Sequence, residues 1–139
     1  MDKSEKYFTM CKKANEIQEQ WHIELGDEYA DAGGYSLGPG TSISSMTSMK
    51  DRCVWLPRQD QLQEMVIRYG KDIKPEWFPC LLYVVDFFLK PYAIECERST
   101  GYPFPETMEQ MWLSFVMKDK YGKVWTGKSW KKVDKIDKE

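Results

Sequence analysis

The stretch Met108-Glu-Gln-Met-Trp-Leu-Ser-Phe-Val-Met-Lys-Asp-Lys-Tyr-Gly-Lys-Val-Trp-Thr-Gly-Lys-Ser-Trp-Lys-Lys-Val133 decides the fold class. Met108, Met111, Trp112, Phe115 and Val116 fall at i, i+3, i+4, i+7 and i+8, the spacing of one apolar helix face. Thr107 and Gln110 stand in the capping-box arrangement, in which two side chains satisfy the amides that a helix start leaves open. Lys118 and Lys120 suit the negative end of the helix dipole, and Gly122 suits the left-handed residue that ends a helix. Beyond it, residues 123–125 and 130–133 flank Thr126-Gly-Lys-Ser129, a loop length that hairpins use, with Trp125 opposite Trp130. A helix running into a β-hairpin places the chain in the α+β class.

The same stretch contains a false lead. Gly122-Lys-Val-Trp-Thr-Gly127-Lys128-Ser129 satisfies the phosphate-binding pattern G-x-x-x-x-G-K-[ST]. That pattern cradles phosphate when it follows a buried strand and opens a helix. Here a helix precedes it, and the bulky Trp125 sits where backbone must wrap a phosphate. We read the match as coincidence.

Working outward, Tyr7, Met10, Ala14, Ile17 and Trp21 recur at helical steps, which predicts one amphipathic helix over 4–20 with Asp2 or Ser4 as its cap. From Gly26 the period changes to short extended pieces broken at Gly33-Gly34 and Gly38-Pro39-Gly40. Residues 41–49 hold six Ser or Thr and little to pack, so 33–49 reads as a mobile surface loop. A strand is expected over 52–56. Pro57 then suits the first turn of a helix carrying Leu62, Met65, Val66 and Tyr69, with Gly70 as its stop. Residues 79–90 are apolar nearly all round and predict a buried central helix, followed by an extended piece at 92–97 and turns at 99–105. The architecture expected is about four helices packed with a small antiparallel sheet, in one domain spanning 1–139 with 1–3 and 134–139 frayed. The strands within 26–56 build that sheet, with the terminal hairpin as a further contributor.

At 139 residues, 42% hydrophobic and 30% charged, the chain can bury a core without disulfide or metal staples. Its 14% aromatic content includes six Trp, a residue used in cores and at binding surfaces alike. The net charge of -2 gives no long-range attraction to nucleic acid, and the lysines at 118, 120, 123, 128, 131 and 132 are interspersed with Asp119, Asp134, Asp137 and Glu139. No apolar run reaches the ~20 residues of a membrane span. Cys11, Cys53, Cys80 and Cys96 form no C-x-x-C pair, and the opening Met-Asp-Lys-Ser-Glu-Lys-Tyr does not read as a secretory signal. Free thiols in a reducing cytoplasm are expected.

Catalytic chemistry finds little support in the residues. The single His22, at a helix end, cannot build a multi-histidine metal site, and nothing local marks it as a partner for a nucleophile. Asp27, Glu28 and Asp31 cluster beside glycines and read as solvated surface. No catalytic residue, metal or cofactor is assigned. The glycine- and hydroxyl-rich loop is the best candidate site. Its amides near Gly33, Gly34, Gly38 and Gly40, the hydroxyls of Tyr35, Ser36, Thr41 and Ser42, and the nearby Arg52 and Arg58 could receive an anionic ligand.

Three segments carry a resemblance. Ala14-Asn-Glu-Ile-Gln with Trp21 and Gly26-Asp27, then Trp55-Leu-Pro-Arg-Gln-Asp-Gln-Leu-Gln-Glu-Met-Val66, then Met108 through Trp125 resemble a family of small uncharacterised proteins carried by phages and prophages of gut bacteria. The family brings no activity, cofactor or catalytic residues. What the resemblance implies is context: a phage accessory protein in the bacterial host's cytoplasm. A non-enzymatic binding protein acting on a host protein or small anionic ligand is the leading expectation. A small nucleotide- or nucleic-acid-directed enzyme using Arg52, Arg58 and Asp60 is the second, and a self-associating assembly protein the third.

Overall fold

A computed structural model describes residues 1–67 and 105–132. The expected helix over 79–90, the extended piece at 92–97, the Gly70 stop, Val133 and the tail from 134 lie outside the described residues. The chain divides into two compact units, Met1–Gln59 and Asp60–Glu139.

The first unit opens with helix α1 (Glu5–Lys13). Ser4 caps it by accepting from the Tyr7 amide at 3.2 Å, and Asp2 in turn accepts the Ser4 amide at 2.9 Å. The single helix expected over 4–20 is two. At Ala14 the backbone leaves helical geometry (φ −84°, ψ 72°), and α2 (Asn15–Glu19) follows as a separate helix. The Cys11 carbonyl, which a continuous helix would pair with residue 15, accepts instead from the Ala14 amide at 3.1 Å and from Gln18 Nε2 at 3.0 Å. Periodicity could not reveal this break, because Tyr7, Met10, Ala14, Ile17 and Trp21 are buried on both sides of it.

Strand β1 (Tyr29–Asp31) pairs antiparallel with β2 (Cys53–Trp55), in the register Tyr29 to Trp55, Ala30 to Val54 and Asp31 to Cys53. Over them Trp21 stacks nearly parallel on Trp55, 6.2 Å between centroids, and tilts against Tyr29 at 6.0 Å. Arg52, expected at the head of the strand, lies in a short 3₁₀ turn (Lys50–Arg52). Helix α4 (Gln59–Ile67) begins two residues after Pro57, so that proline precedes the helix. The Pro57 carbonyl accepts the buried Tyr7 hydroxyl at 2.6 Å.

The serine- and threonine-rich part of the expected loop is a helix, α3 (Ile43–Met49). Ser42 caps it, accepting from the Ser45 amide at 3.4 Å. The Thr47 hydroxyl bonds back to the Ile43 carbonyl at 2.7 Å and the Ser48 hydroxyl to Ser45 at 2.8 Å, so groups that usually compete with a helix are consumed inside it. Its anchor is the buried Met46, whose sulfur and methyl occupy the place where Gly40 would carry a Cβ.

In the second unit, α5 (Met108–Tyr121) ends on Gly122 at φ 65°, as its sequence predicts. Thr107 accepts from the Gln110 amide at 3.2 Å. The reciprocal arm reaches one residue further than a capping box requires, since Gln110 Oε1 takes the Glu106 amide at 3.0 Å. The buried surface exceeds the predicted stripe: Leu113 and Met117 are as enclosed as Trp112, and Phe115 is only half-buried, edge-on to Trp112. Strands β3 (Lys123–Trp125) and β4 (Trp130–Lys132) form the expected hairpin, with Trp125 and Trp130 5.2 Å apart. It is a sheet of its own, separate from β1–β2. The α+β class therefore holds, with five helices and two antiparallel sheets among the described residues.

Candidate functional site

The glycine-rich loop is built around two aspartates. Asp31, at the end of β1, turns its carboxylate back so that Oδ1 accepts both the Gly33 and the Tyr35 amides at 2.9 Å. The loop then returns alongside β1. The Asp31 amide donates to the Tyr35 carbonyl at 2.9 Å, the Leu37 amide to the Tyr29 carbonyl at 2.8 Å, and Ala30 bridges to Ser36. Gly38 follows against the chain: a Cβ there would lie 2.8 Å from the Asp27 carbonyl oxygen, closer than atoms approach. The Gly40 amide donates to that same oxygen at 2.9 Å, and the Gly26 amide to Gly40 at 2.8 Å, which closes the loop at its base.

Asp27 is fully buried, contrary to the expectation of a solvated carboxylate. Burying a charge is costly unless donors surround it. Its Oδ2 accepts the Trp21 indole N–H and the Glu24 amide, each at 2.9 Å. Its Oδ1 faces Arg58 Nη1 at 3.7 Å, and Arg58 also donates to the Gly26 carbonyl at 2.9 Å. Glu28, also buried against expectation, faces Lys3 at 3.5 Å. For Asp27 the reason is that the turn at 24–27 and the chain crossing at residue 58 bring donors and a cation to one carboxylate, which no residue count along the sequence displays. Asp31 alone of the three is half-exposed.

The residues expected to receive an anion are therefore dispersed. The Gly33 and Tyr35 amides already hold the chain's own carboxylate, and the Gly34, Gly38 and Gly40 amides pair with backbone carbonyls. Arg58 turns inward to Asp27, whereas Arg52 is exposed in its 3₁₀ turn. Ser42 is spent as a helix cap, and Tyr35, Ser36 and Thr41 point their surface to solvent. Asp60 is exposed in the first turn of α4, and His22 is exposed after α2. In the hairpin, Thr126 Oγ1 accepts the Lys128 amide at 3.3 Å and the Ser129 amide at 3.2 Å. The amides that a phosphate loop would offer are thus engaged by a threonine.

Among the described residues no three His, Cys, Asp or Glu side chains converge as a metal site, and no helix is long and apolar enough to cross a membrane. The two described cysteines are free. Burial drives the Cys11 thiol far above its ordinary pKa, against the opposing effect of its hydrogen bond with Tyr7. Cys53 is raised too, by burial first and Asp31 second. Thiolate, the reactive form, is scarce at both. Alkylation of native protein at pH 8, read by peptide mass spectrometry, is expected to leave Cys11 unmodified until denaturant is added. Rapid native labelling of Cys11 would contradict its burial.

What the loop does present is apolar. Among the described residues, four of the five exposed large hydrophobic side chains are Leu25, Tyr35, Leu37 and Ile43, with Tyr35 76% exposed and Leu25 63%. Sequence reasoning named Tyr35 for its hydroxyl and overlooked Leu25, Leu37 and Ile43. For Leu37 and Ile43 the signal was present in the sequence: residues 32–49 contain no Asp, Glu, Lys, Arg or His, in a chain of which 30% is charged. Comparison with protein-family models, with curated proteins and with solved structures finds no match for this chain.

Proposed function

We propose that the chain is a non-enzymatic protein-binding module whose binding face is formed by the exposed apolar side chains within residues 25–43 of its first unit. One observation carries the reading: exposed Tyr35 and Leu37 are displayed on a loop that its own hydrogen bonds already hold in shape, with exposed Leu25 and Ile43 flanking its base. A preordered loop loses less entropy on binding than a floppy one, and tyrosine is among the residues that most often dominate binding energy. The phage context implied by the resemblance makes the partner a protein of the bacterial host cytoplasm. A small anion is the poorer fit, because Asp31 already fills the amide nest and Arg58 is committed to Asp27.

The test is affinity capture from bacterial lysate with the wild type and with the Tyr35→Ser/Leu37→Ser double variant. The double variant should retain the wild-type circular dichroism spectrum and capture the specific partner at least about tenfold less, as expected for losing two central apolar contacts. Equal capture by both proteins would move the binding face elsewhere. A wild type that captures nothing specific would end the binding reading.

A further inference from the structure

We propose that residues 35–37 form an open sheet edge through which two copies of this chain pair across a twofold axis. The inference rests on the reading that this face binds protein, and it names a second copy as an occupant. The Tyr35 carbonyl and the Leu37 amide both point to β1, where they meet Asp31 and Tyr29. Because backbone groups alternate direction along an extended chain, the Ser36 N–H and C=O point the opposite way, off the edge of the sheet. Ser36 is exposed.

This edge is complementary to itself. In an antiparallel pairing centred on Ser36, each Ser36 amide donates to the Ser36 carbonyl of the second copy. Tyr35 then stands directly across from Leu37 of that copy, and Leu37 across from its Tyr35. Cross-strand aromatic–aliphatic pairs of this kind stabilise sheets, and each would cover apolar surface that is exposed in the single chain.

Charge selects a second copy over other occupants. Beside a twofold axis each side chain also lies near its own duplicate, so a charge there is brought close to a like charge. Residues 32–49 contain none. A strongly acidic or basic partner would find nothing to pair with, whereas a duplicate finds no repulsion. The contact is short, below the ~1,200 Å² of a standard stable interface, so the dimer is weak, with a Kd on the order of 10 µM to 1 mM. Self-pairing and host-protein binding then compete for one face.

Sedimentation velocity on the full chain between about 1 µM and 1 mM tests the proposal, with Ser36→Pro and Tyr35→Lys as variants. Proline removes the outward amide while sparing the inward-pointing groups of Tyr35 and Leu37, and lysine places like charges beside the axis. The wild type should sediment faster as concentration rises. Both variants should associate at least about tenfold more weakly, and high salt should partly restore Tyr35→Lys but not Ser36→Pro. Should Ser36→Pro fail to fold by circular dichroism, Tyr35→Lys and its salt response decide. A wild type that stays monomeric, or association unchanged in the folded variants, overturns the proposal. A monomer that still captures a host protein overturns the dimer and leaves the binding reading intact; a dimer that captures nothing does the reverse.

Discussion

Asp27→Ala is expected to destabilise the first unit by about 3–5 kcal/mol, the range measured when one member of a buried charged pair is removed. Two donors lose their acceptor at once, the Trp21 indole N–H and the Glu24 amide, and Arg58 loses an ion-pair partner. The Trp21 ring cannot turn its N–H to water, because it is buried and packed over Trp55 and Tyr29. Asp27→Asn separates charge from shape. The side chain still fits, but its NH₂ must face either Arg58 or the Trp21 and Glu24 donors, so a loss of about 2–3 kcal/mol is expected. Arg58→Met should cost less, about 1–2 kcal/mol, because Arg58 is a third exposed and stands 3.7 Å from Asp27, where solvent screens the pair. Urea unfolding gives the order Ala, Asn, then Met. Hydrogen exchange of the Trp21 indole proton gives the local readout, slow in the wild type and fast in Asp27→Ala. An Asp27→Ala protein within about 1 kcal/mol of wild type would mean that water replaces the carboxylate and that the loop base is not set by it.

The consequence reaches the proposed binding face. Asp27 also supplies the carbonyl that takes the Gly40 amide, and Arg58 holds the Gly26 carbonyl beside it. Leu25 lies at one side of this closure, and Thr41 through Ile43 at the other. Loosening Asp27 should therefore weaken partner capture without touching Tyr35 or Leu37, because a loop that must first be ordered binds more weakly.

The local signals were legible in sequence and the long-range ones were not. Met108 through Trp130 reads correctly because each of its devices acts over four or five residues: the Thr107 cap, the Gly122 stop, the Trp125–Trp130 pair. The strand near Val54 was legible from its residue types, and β1 emerged only as an extended piece. Helix α3 was missed because propensity counts Ser and Thr against a helix, while its stability comes from one buried methionine seated against Gly40, across a turn. Asp27 and Glu28 were misread for the same reason. The cations that face them, Arg58 and Lys3, stand 31 and 25 residues away in the chain, and proximity in sequence encodes none of that. The polar groups that sequence reasoning offered to a ligand are largely engaged within the loop itself, and Tyr35, Leu37 and Ile43 remain outside.

Gln18 shows how much one side chain can contribute to such a fold. Trp55 and Cys53 turn their backbone groups away from β1, so the far edge of β2 needs a partner. Gln18 supplies it: its Oε1 accepts the Trp55 amide at 2.8 Å, and its Nε2 donates to the Trp55 carbonyl at 2.9 Å. The primary amide thus stands in for a neighbouring strand. The same Nε2 donates to the Cys11 carbonyl, which the break at Ala14 leaves without its residue-15 partner. Gln18→Leu keeps most of the volume and leaves the Trp55 amide and carbonyl unpaired at a partly buried site. A loss of about 2–4 kcal/mol is expected, from about 1–2 kcal/mol for each unpaired group. Gln18→Glu is the sharper test. An ionised carboxylate retains the acceptor for the Trp55 amide but presents an oxygen to two carbonyls, where an N–H stood before. That repulsion favours the protonated acid, so its folded-state pKa should lie above the ordinary Glu value of about 4.3. For a carboxyl raised on folding, the protonated form's contribution is fully present below the unfolded pKa and is lost as pH rises through the folded one. Gln18→Glu should therefore be near Gln18→Leu or better at pH 4 and clearly less stable than it at pH 7, while the wild-type-to-Leu difference stays nearly constant over the same window. Urea midpoints at the two pH values measure the crossover; parallel curves for Leu and Glu would show that the Trp55 and Cys11 carbonyls do not depend on the Gln18 donor.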